Sequence, residues 1–393
     1  MRSPAALALV VAFAVGCGDE SKSPAGAAAE NPGAAVAGPA AEAPDFEVDP
    51  FWPKPLPNHW VLGSTIGVAV DDQDHVWIIH RPGSVDDNFK AAALTPPMGR
   101  CCTPAPPVLE FDQEGNLLRH LGGPGSGYEW PISNHGITVD HKGNVWIGGN
   151  DEKDTHVLKF TQDGKFLLQI GTQGVHNGSN DSDHLWRAAK IVVDPVANEA
   201  YIADGYGNRR VIVFDADTGK YKRHWGAYGA RPDDASIGDY VPGEPPAKHF
   251  RTVHCVAVSK DRFVYVCDRV NDRVQVFKTD GTFVKEAFFE TQTIRSGSVW
   301  DMAFSRDPEE TYIYQVDGVN EEVRVLRRDT LEVLTTFGDG GRQPGQFYGV
   351  HNVAVDSKGN LYTTETYNGA RLQRFLYKGV RSVPKNRGVP WPK

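Results

Sequence analysis

From Asp45 onward, apolar and polar residues alternate in short runs, each closed by Gly, Asp, Asn or Ser. A period of two is the signature of half-buried strands, and the closing residues are those that turn a chain tightly. The runs recur as a unit. The clearest copies are GITVDHKGNVWIGG (136–149) with HVLKFTQDGKFLLQIG (156–171), and VAVSKDRFVYVCD (256–268) with DRVQVFKTDGTFVKEAFF (272–289). Other copies begin at Gly67-Val68-Ala69-Val70-Asp71, Ile191-Val192-Val193-Asp194, Met302-Ala303-Phe304-Ser305 and Val353-Ala354-Val355-Asp356, which makes six. A four-stranded unit cannot bury its faces alone, so six copies predict an all-β fold, a six-bladed β-propeller forming one domain over residues 46–393. The last copy lacks an outer strand. Trp60-Val61-Leu62-Gly63 resembles the outer strands Leu168–Gly171 and Thr336–Gly338, so residues 57–63 are expected to close the ring, with Val380–Val383 as the alternative.

The first residues do not belong to this pattern. Met1–Pro4 carries one positive charge, and Ala5–Val15 is wholly apolar, too short to span a bilayer and right for an export signal. It ends in Ala14-Val15-Gly16-Cys17, which resembles the lipobox of bacterial lipoproteins and implies cleavage before Cys17 and lipidation of its thiol. The alternative is an ordinary signal peptide with a chance cysteine. Residues 18–45 are Ala, Pro, Gly and Glu with no aromatic side chain, and are expected to be a disordered tether between residues 1–17 and the propeller. The implied location is the periplasmic side of the outer membrane or the cell surface, with the membrane as a partner through the lipid. Composition adds that 41 Gly and 27 Pro suit a turn-rich fold. A net charge of −9 without any Lys/Arg block disfavours nucleic acid as a partner.

Candidate chemistry emerges when the copies are superposed. Five residues before the Asp or Ser that ends each inner strand stand Ile66, His135, Ala189, His254, Trp300 and His351. Inner strands line a propeller's channel, so this register sets three imidazoles around the axis on alternate blades. Three imidazoles with an open position match a catalytic zinc site, though iron, copper or nickel also accept such donors. Three channel histidines holding loops or water are the plainer alternative. The ends of the second strands share the face on which the first strands start. Arg81 and Arg269 follow those ends in copies one and four, and Tyr206 and Tyr367 occupy the next position in copies three and six. The arginines could clamp a carboxylate and a carbonyl oxygen, or merely pair with Asp204 or Asp268. A tyrosine beside cations could act as a base, with hydroxide as the other candidate.

The repeat consensus, as in VAVDSKGNLY (353–362) and GNRRVIVF (207–214), resembles the NHL family of six-bladed propellers. The segments HRPG (80–83), NHGITVD (134–140), ADGYGNRR (203–210), VHCVAV (253–258), CDRVNDRVQVF (267–277) and VHNVAVD (350–356) are similar to those of the peptidyl-α-hydroxyglycine α-amidating lyase family, over about residues 58–378. The resemblance implies a carbon–nitrogen lyase that cleaves a carbinolamide to an amide and glyoxylate, acting on a small or peptide substrate with a carboxylate. It further implies zinc on His135, His254 and His351, Tyr206 as catalytic base, and Arg81 and Arg269 as substrate-binding residues. The chain departs from the family at Gly349, where a methionine is usual. It departs again at Asn352, where an acidic ligand of a structural calcium is usual, and it lacks counterparts of the family's disulfide cysteines. Two other functional classes remain open: a metal-dependent hydrolase or lactonase on the same fold, and a non-catalytic scaffold that presents its surface to a protein partner.

Residues 82–107 form a connection much longer than its counterparts and leave from the site face, as either a lid or a packed surface loop. It carries Cys101 and Cys102, each able to bridge elsewhere or to bind metal. Cys255 and Cys267 fall opposite one another on adjacent strands, as a disulfide or as two buried thiols.

Overall fold

The computed structural model describes residues 40–392, so the signal, Cys17 and most of the expected tether lie outside the described residues. Six four-stranded antiparallel sheets, numbered here as blades one to six in chain order, make up the fold. The inner strands are Thr65–Val70, Asn134–Val139, Lys190–Asp194, Val253–Val258, Asp301–Phe304 and Val350–Val355. In the first five blades the chain runs outward strand by strand. No α-helix is present among the described residues. The buried apolar side chains fall into six clusters, each shared by two neighbouring blades: Trp146 and Ile202 pack between blades two and three, Tyr201 and Val266 between three and four. Each blade is thus hydrophobic on both faces, and only the ring buries both.

The Asp or Ser that ends each inner strand has a structural task. Asp140 Oδ1 accepts from Lys142 and Asn144 N–H at 2.9 Å each, which closes the turn, while Oδ2 accepts from Trp146 Nε1 at 2.9 Å. Asp71 does the same with Trp77, and Ser259 and Ser305 close their turns through Oγ. The repeated polar residue between two apolar strands is therefore a turn lock.

The ring does not close where the sequence suggested. Blade six takes its outer strand from Ala41–Asp49, which pairs antiparallel with Arg371–Val383. Trp60–Val61 instead pairs in parallel with Thr103–Pro104, and Val380–Val383 extends the third strand of blade six. Residues 41–45, assigned to the tether, therefore belong to the propeller. Ala43, Phe46 and Val48 point into the cluster between blades five and six, and Asp45 pairs with Arg381 and Arg387. Pro44 is tolerated because it lies on an edge strand beside a register shift.

Candidate active site

The sheet geometry brings the three histidines together. In blades two, four and six the inner strand slips register at His135/Ile137, Val253/Cys255 and Val350/Asn352, and each slip is a bulge that turns the histidine towards the axis. The ring centroids form a near-regular triangle: 5.3 Å from His135 to His254 and 4.9 Å from His351 to each of the others. All three are buried.

Their alternation with other residue types has a physical reason. His135 Nδ1 lies 2.8 Å from the carbonyl of Ala189, and His254 Nδ1 lies 2.5 Å from that of Trp300. Ala189 and Trp300 hold the same register on the next blades, so odd blades supply backbone acceptors for the imidazoles of even blades. His351 Nδ1 meets Asn352 Oδ1, whose amide is oriented by Nδ2 donating to Asp301 Oδ2 at 2.8 Å. A carbonyl oxygen only accepts, so each Nδ1 is the protonated nitrogen, and each Nε2 turns a lone pair to the axis.

Burial lowers the proton affinity of all three. For His135 the next causes are the charges of His351 and Arg81, and for His254 those of Arg269 and His351; His351 is pulled down to about 3 despite its bond to Asn352. Neutral imidazoles are the form that binds a metal ion.

Tyr206, in the turn after the second strand of blade three, reaches into this triangle. Its hydroxyl lies 3.1 Å from His135 Nε2 and 2.9 Å from His254 Nε2, and it accepts from Arg269 Nη1 at 2.9 Å. One phenol proton can satisfy only one of the two Nε2 lone pairs that face it. Buried acceptors without donors are costly, so this donor set fits a divalent cation. The three histidines form such a group, with ligand atoms within 4.8 Å of one another.

Arg269 is mostly buried and stacks on Trp300 at 4.7 Å. Arg81 is half-buried and donates through Nε to Asn134 O at 3.0 Å and through Nη2 to Asn150 Oδ1 at 2.8 Å. Neither arginine pairs with the nearby acids. Asp204 holds Arg210 at 2.8 Å and Asp268 holds Arg273 at 2.9 Å, which overturns the plainer reading of Arg81 and Arg269 as structural ion pairs with those residues. Burial lowers the proton affinity of the Arg81 guanidinium, opposed by Tyr206, Tyr367 and Asp154. The channel face thus carries two cations with spare donors beside three neutral donor nitrogens and a phenol.

Some neighbours escaped the sequence reading. Asn150 is the blade-two counterpart of Arg81 and could have been found by extending the same column. Arg187, whose guanidinium lies 5.9 Å from the Tyr206 ring, comes from an irregular segment that no column aligns. The long connection 82–107 is held to the ring: Ser84 Oγ accepts from Ser64 N at 2.8 Å, and Thr103–Pro104 pairs with Trp60–Val61. Ser84 lines two cavities of about 480 and 550 Å³, the first also lined by Arg81 and the second by Tyr367. Cys101 and Cys102 are joined to one another, and Cys255 is joined to Cys267 across paired strands.

His80, just before Arg81, makes a pH prediction. Its Nδ1 accepts from Gly63 N–H at 3.1 Å and its Nε2 donates to Pro106 O at 3.0 Å, and burial pulls its pKa from 6.5 to about 4. The unfolded chain takes up this proton near pH 6.5, so the stability that neutral His80 contributes is complete above that value and falls as the pH drops towards 4. The loss is ~3 kcal/mol. Urea midpoints measured down to pH 4 should fall more steeply for the wild type than for His80→Gln; parallel curves would remove His80 from the acid response.

No protein-family model matches the chain. Peptidyl-glycine alpha-amidating monooxygenase A of Xenopus laevis is 26% identical over 356 residues, covering 88% of this chain and 35% of that protein. The probable peptidyl-alpha-hydroxyglycine alpha-amidating lyase of Caenorhabditis elegans is 22% identical over 312 residues, 77% of this chain and 80% of its own. NHL repeat-containing protein 3 of Mus musculus is 26% identical over 302 residues, 75% and 70%. Its homologues are peptide-amidating enzymes and NHL-repeat proteins. The resemblance carried by the HRPG, NHGITVD and VHNVAVD segments is thereby borne out. The chain spans about a third of the Xenopus protein, within which it matches one region.

The acidic calcium ligand expected from the resemblance is absent. Asn352 brings a neutral amide, and the neighbouring carboxylate of Asp301 is taken by the Lys190 ammonium. A divalent cation would face that positive charge, so this position does not fit calcium.

Proposed function

We propose that the protein is a zinc-dependent carbon–nitrogen lyase that cleaves a peptidyl-α-hydroxyglycine-like carbinolamide, N–CH(OH)–COO⁻, to an amide and glyoxylate. The observation that carries the reading is the cluster of three buried imidazoles, His135, His254 and His351, two of which turn Nε2 to the Tyr206 hydroxyl beside Arg269. A divalent cation held by His135, His254 and His351 would stabilise negative charge on the substrate hydroxyl oxygen. Arg269 and Arg81 bind the substrate carboxylate, their forked donors fixing which side of the carbinol carbon faces Tyr206. Tyr206 as phenolate, its charge stabilised by Arg269 donating into its oxygen, takes the hydroxyl proton and becomes a neutral phenol. The C–O bond becomes the carbonyl of glyoxylate, the C–N bond breaks, and the departing nitrogen receives the proton back from Tyr206. The resulting picture is an enzyme exported and tethered through Cys17; the joined cysteine pairs, expected in an oxidising compartment, support that location.

Incubation of the purified protein with α-hydroxyhippurate tests the reaction. Glyoxylate should be released, the release should stop after chelation, and added zinc should restore it. Bound zinc without glyoxylate would point to a hydrolase such as a lactonase, and neither metal nor release would point to a scaffold.

A further inference from the structure

One residue later than the histidine register, the channel carries Lys190, Asp301 and Asn352 on blades three, five and six. Lys190 reaches across the channel past blade four, and its ammonium pairs with Asp301 Oδ1. Asp301 is buried, and its other oxygen accepts from Asn352 Nδ2 at 2.8 Å and from Val353 N at 3.1 Å. Asn352 in turn presents its oxygen to His351 Nδ1. Lys190, Asp301, Asn352 and His351 are thus one chain of donors and acceptors. His135 and His254 are held by backbone carbonyls, which the sheets fix in place. His351 also meets the backbone of Ile66, but it alone among the three adds a side-chain acceptor, Asn352, and that side chain is held through Asp301 by a cation.

We infer that the Lys190 ammonium is a built-in replacement for a bound channel cation, and that through Asp301 and Asn352 it positions the His351 ring for metal binding. Without Lys190 the Asp301 carboxylate would be buried with no counter-charge, free to draw the Asn352 amide away from His351. With it, the carboxylate holds the amide in one orientation, and the amide oxygen holds the Nδ1 proton so that Nε2 faces the axis. Lys190 and Asp301 are positioning residues, touching no substrate. The inference rests on the three-histidine metal site proposed above.

The test measures zinc affinity by competition with a chromophoric chelator, and the melting midpoint with and without millimolar calcium, on the full exported chain. The wild-type midpoint should ignore calcium. Lys190→Met should bind zinc about 10–100-fold more weakly. The double variant Lys190→Met, Asn352→Asp should gain a calcium-dependent rise in melting midpoint, and calcium should restore part of its zinc affinity. A general loss of structure would not be reversed by calcium. The inference is overturned if calcium raises the wild-type midpoint, if Lys190→Met keeps wild-type zinc affinity, or if the double variant ignores calcium. If Lys190→Met does not fold, the wild-type calcium titration still decides. Wild-type protein that binds no zinc would sink the metal site itself, while the calcium measurements would still test Lys190 as a resident cation.

Discussion

Tyr206→Phe should lower the rate of glyoxylate release by about 10²–10⁴-fold, the usual worth of a positioned acid–base group, and leave the bound metal at its wild-type level. The variant removes one oxygen. The ring keeps its packing below Arg269 and Arg187, and the three imidazoles keep the Ala189, Trp300 and Asn352 oxygens that orient them. The loss should fall on kcat, with KM little changed, because the carboxylate is bound by the arginines and the proton is moved by the phenol. Arg269→Lys should behave differently. A single ammonium cannot both donate into the phenol oxygen and fork onto a carboxylate, so KM should rise as kcat falls. Activity near wild type in Tyr206→Phe would remove the phenol from the mechanism.

The fold and the centre of the site could be read in the sequence for one reason: a propeller repeats its register. Six strands in the same column meet at one level of the channel, so His135, His254 and His351 could be placed together without a coordinate. The same logic exposed Arg81, Arg269 and Tyr206, which follow equivalent strand ends. What escaped was whatever the repeat does not generate. Ala41–Asp49 places Ala43, Phe46 and Val48 in the apolar cluster, interrupted by Pro44 and the buried Asp45, and its Ala- and Pro-rich sequence continues the composition of the preceding segment. The contact of Lys190 with Asp301 crosses the channel between non-adjacent blades, and column spacing says nothing about how far a long side chain reaches. The two readings of Arg81 and Arg269 are separated only by which cations hold Asp204 and Asp268, and those cations, Arg210 and Arg273, lie on the third strands, outside the first- and second-strand columns that line the channel.

His135→Ala should abolish both metal binding and activity, and elemental analysis is the direct measure. Two imidazoles remain, but a tight divalent site needs three protein donors held rigidly. The fold should survive, because His135 contributes its ring to the channel and not to the wedge between blades two and three, where Trp146, Val157 and Ile202 hold the sheets together. The loss should also be coupled: with His135 absent, His254→Ala should cost no further metal and no further activity, whereas independent sites would lose both in equal steps. A full equivalent of zinc in His135→Ala would sink the three-histidine site. A metal-free variant that still releases glyoxylate at the wild-type rate would instead leave Tyr206 and the two arginines to carry the reaction without it.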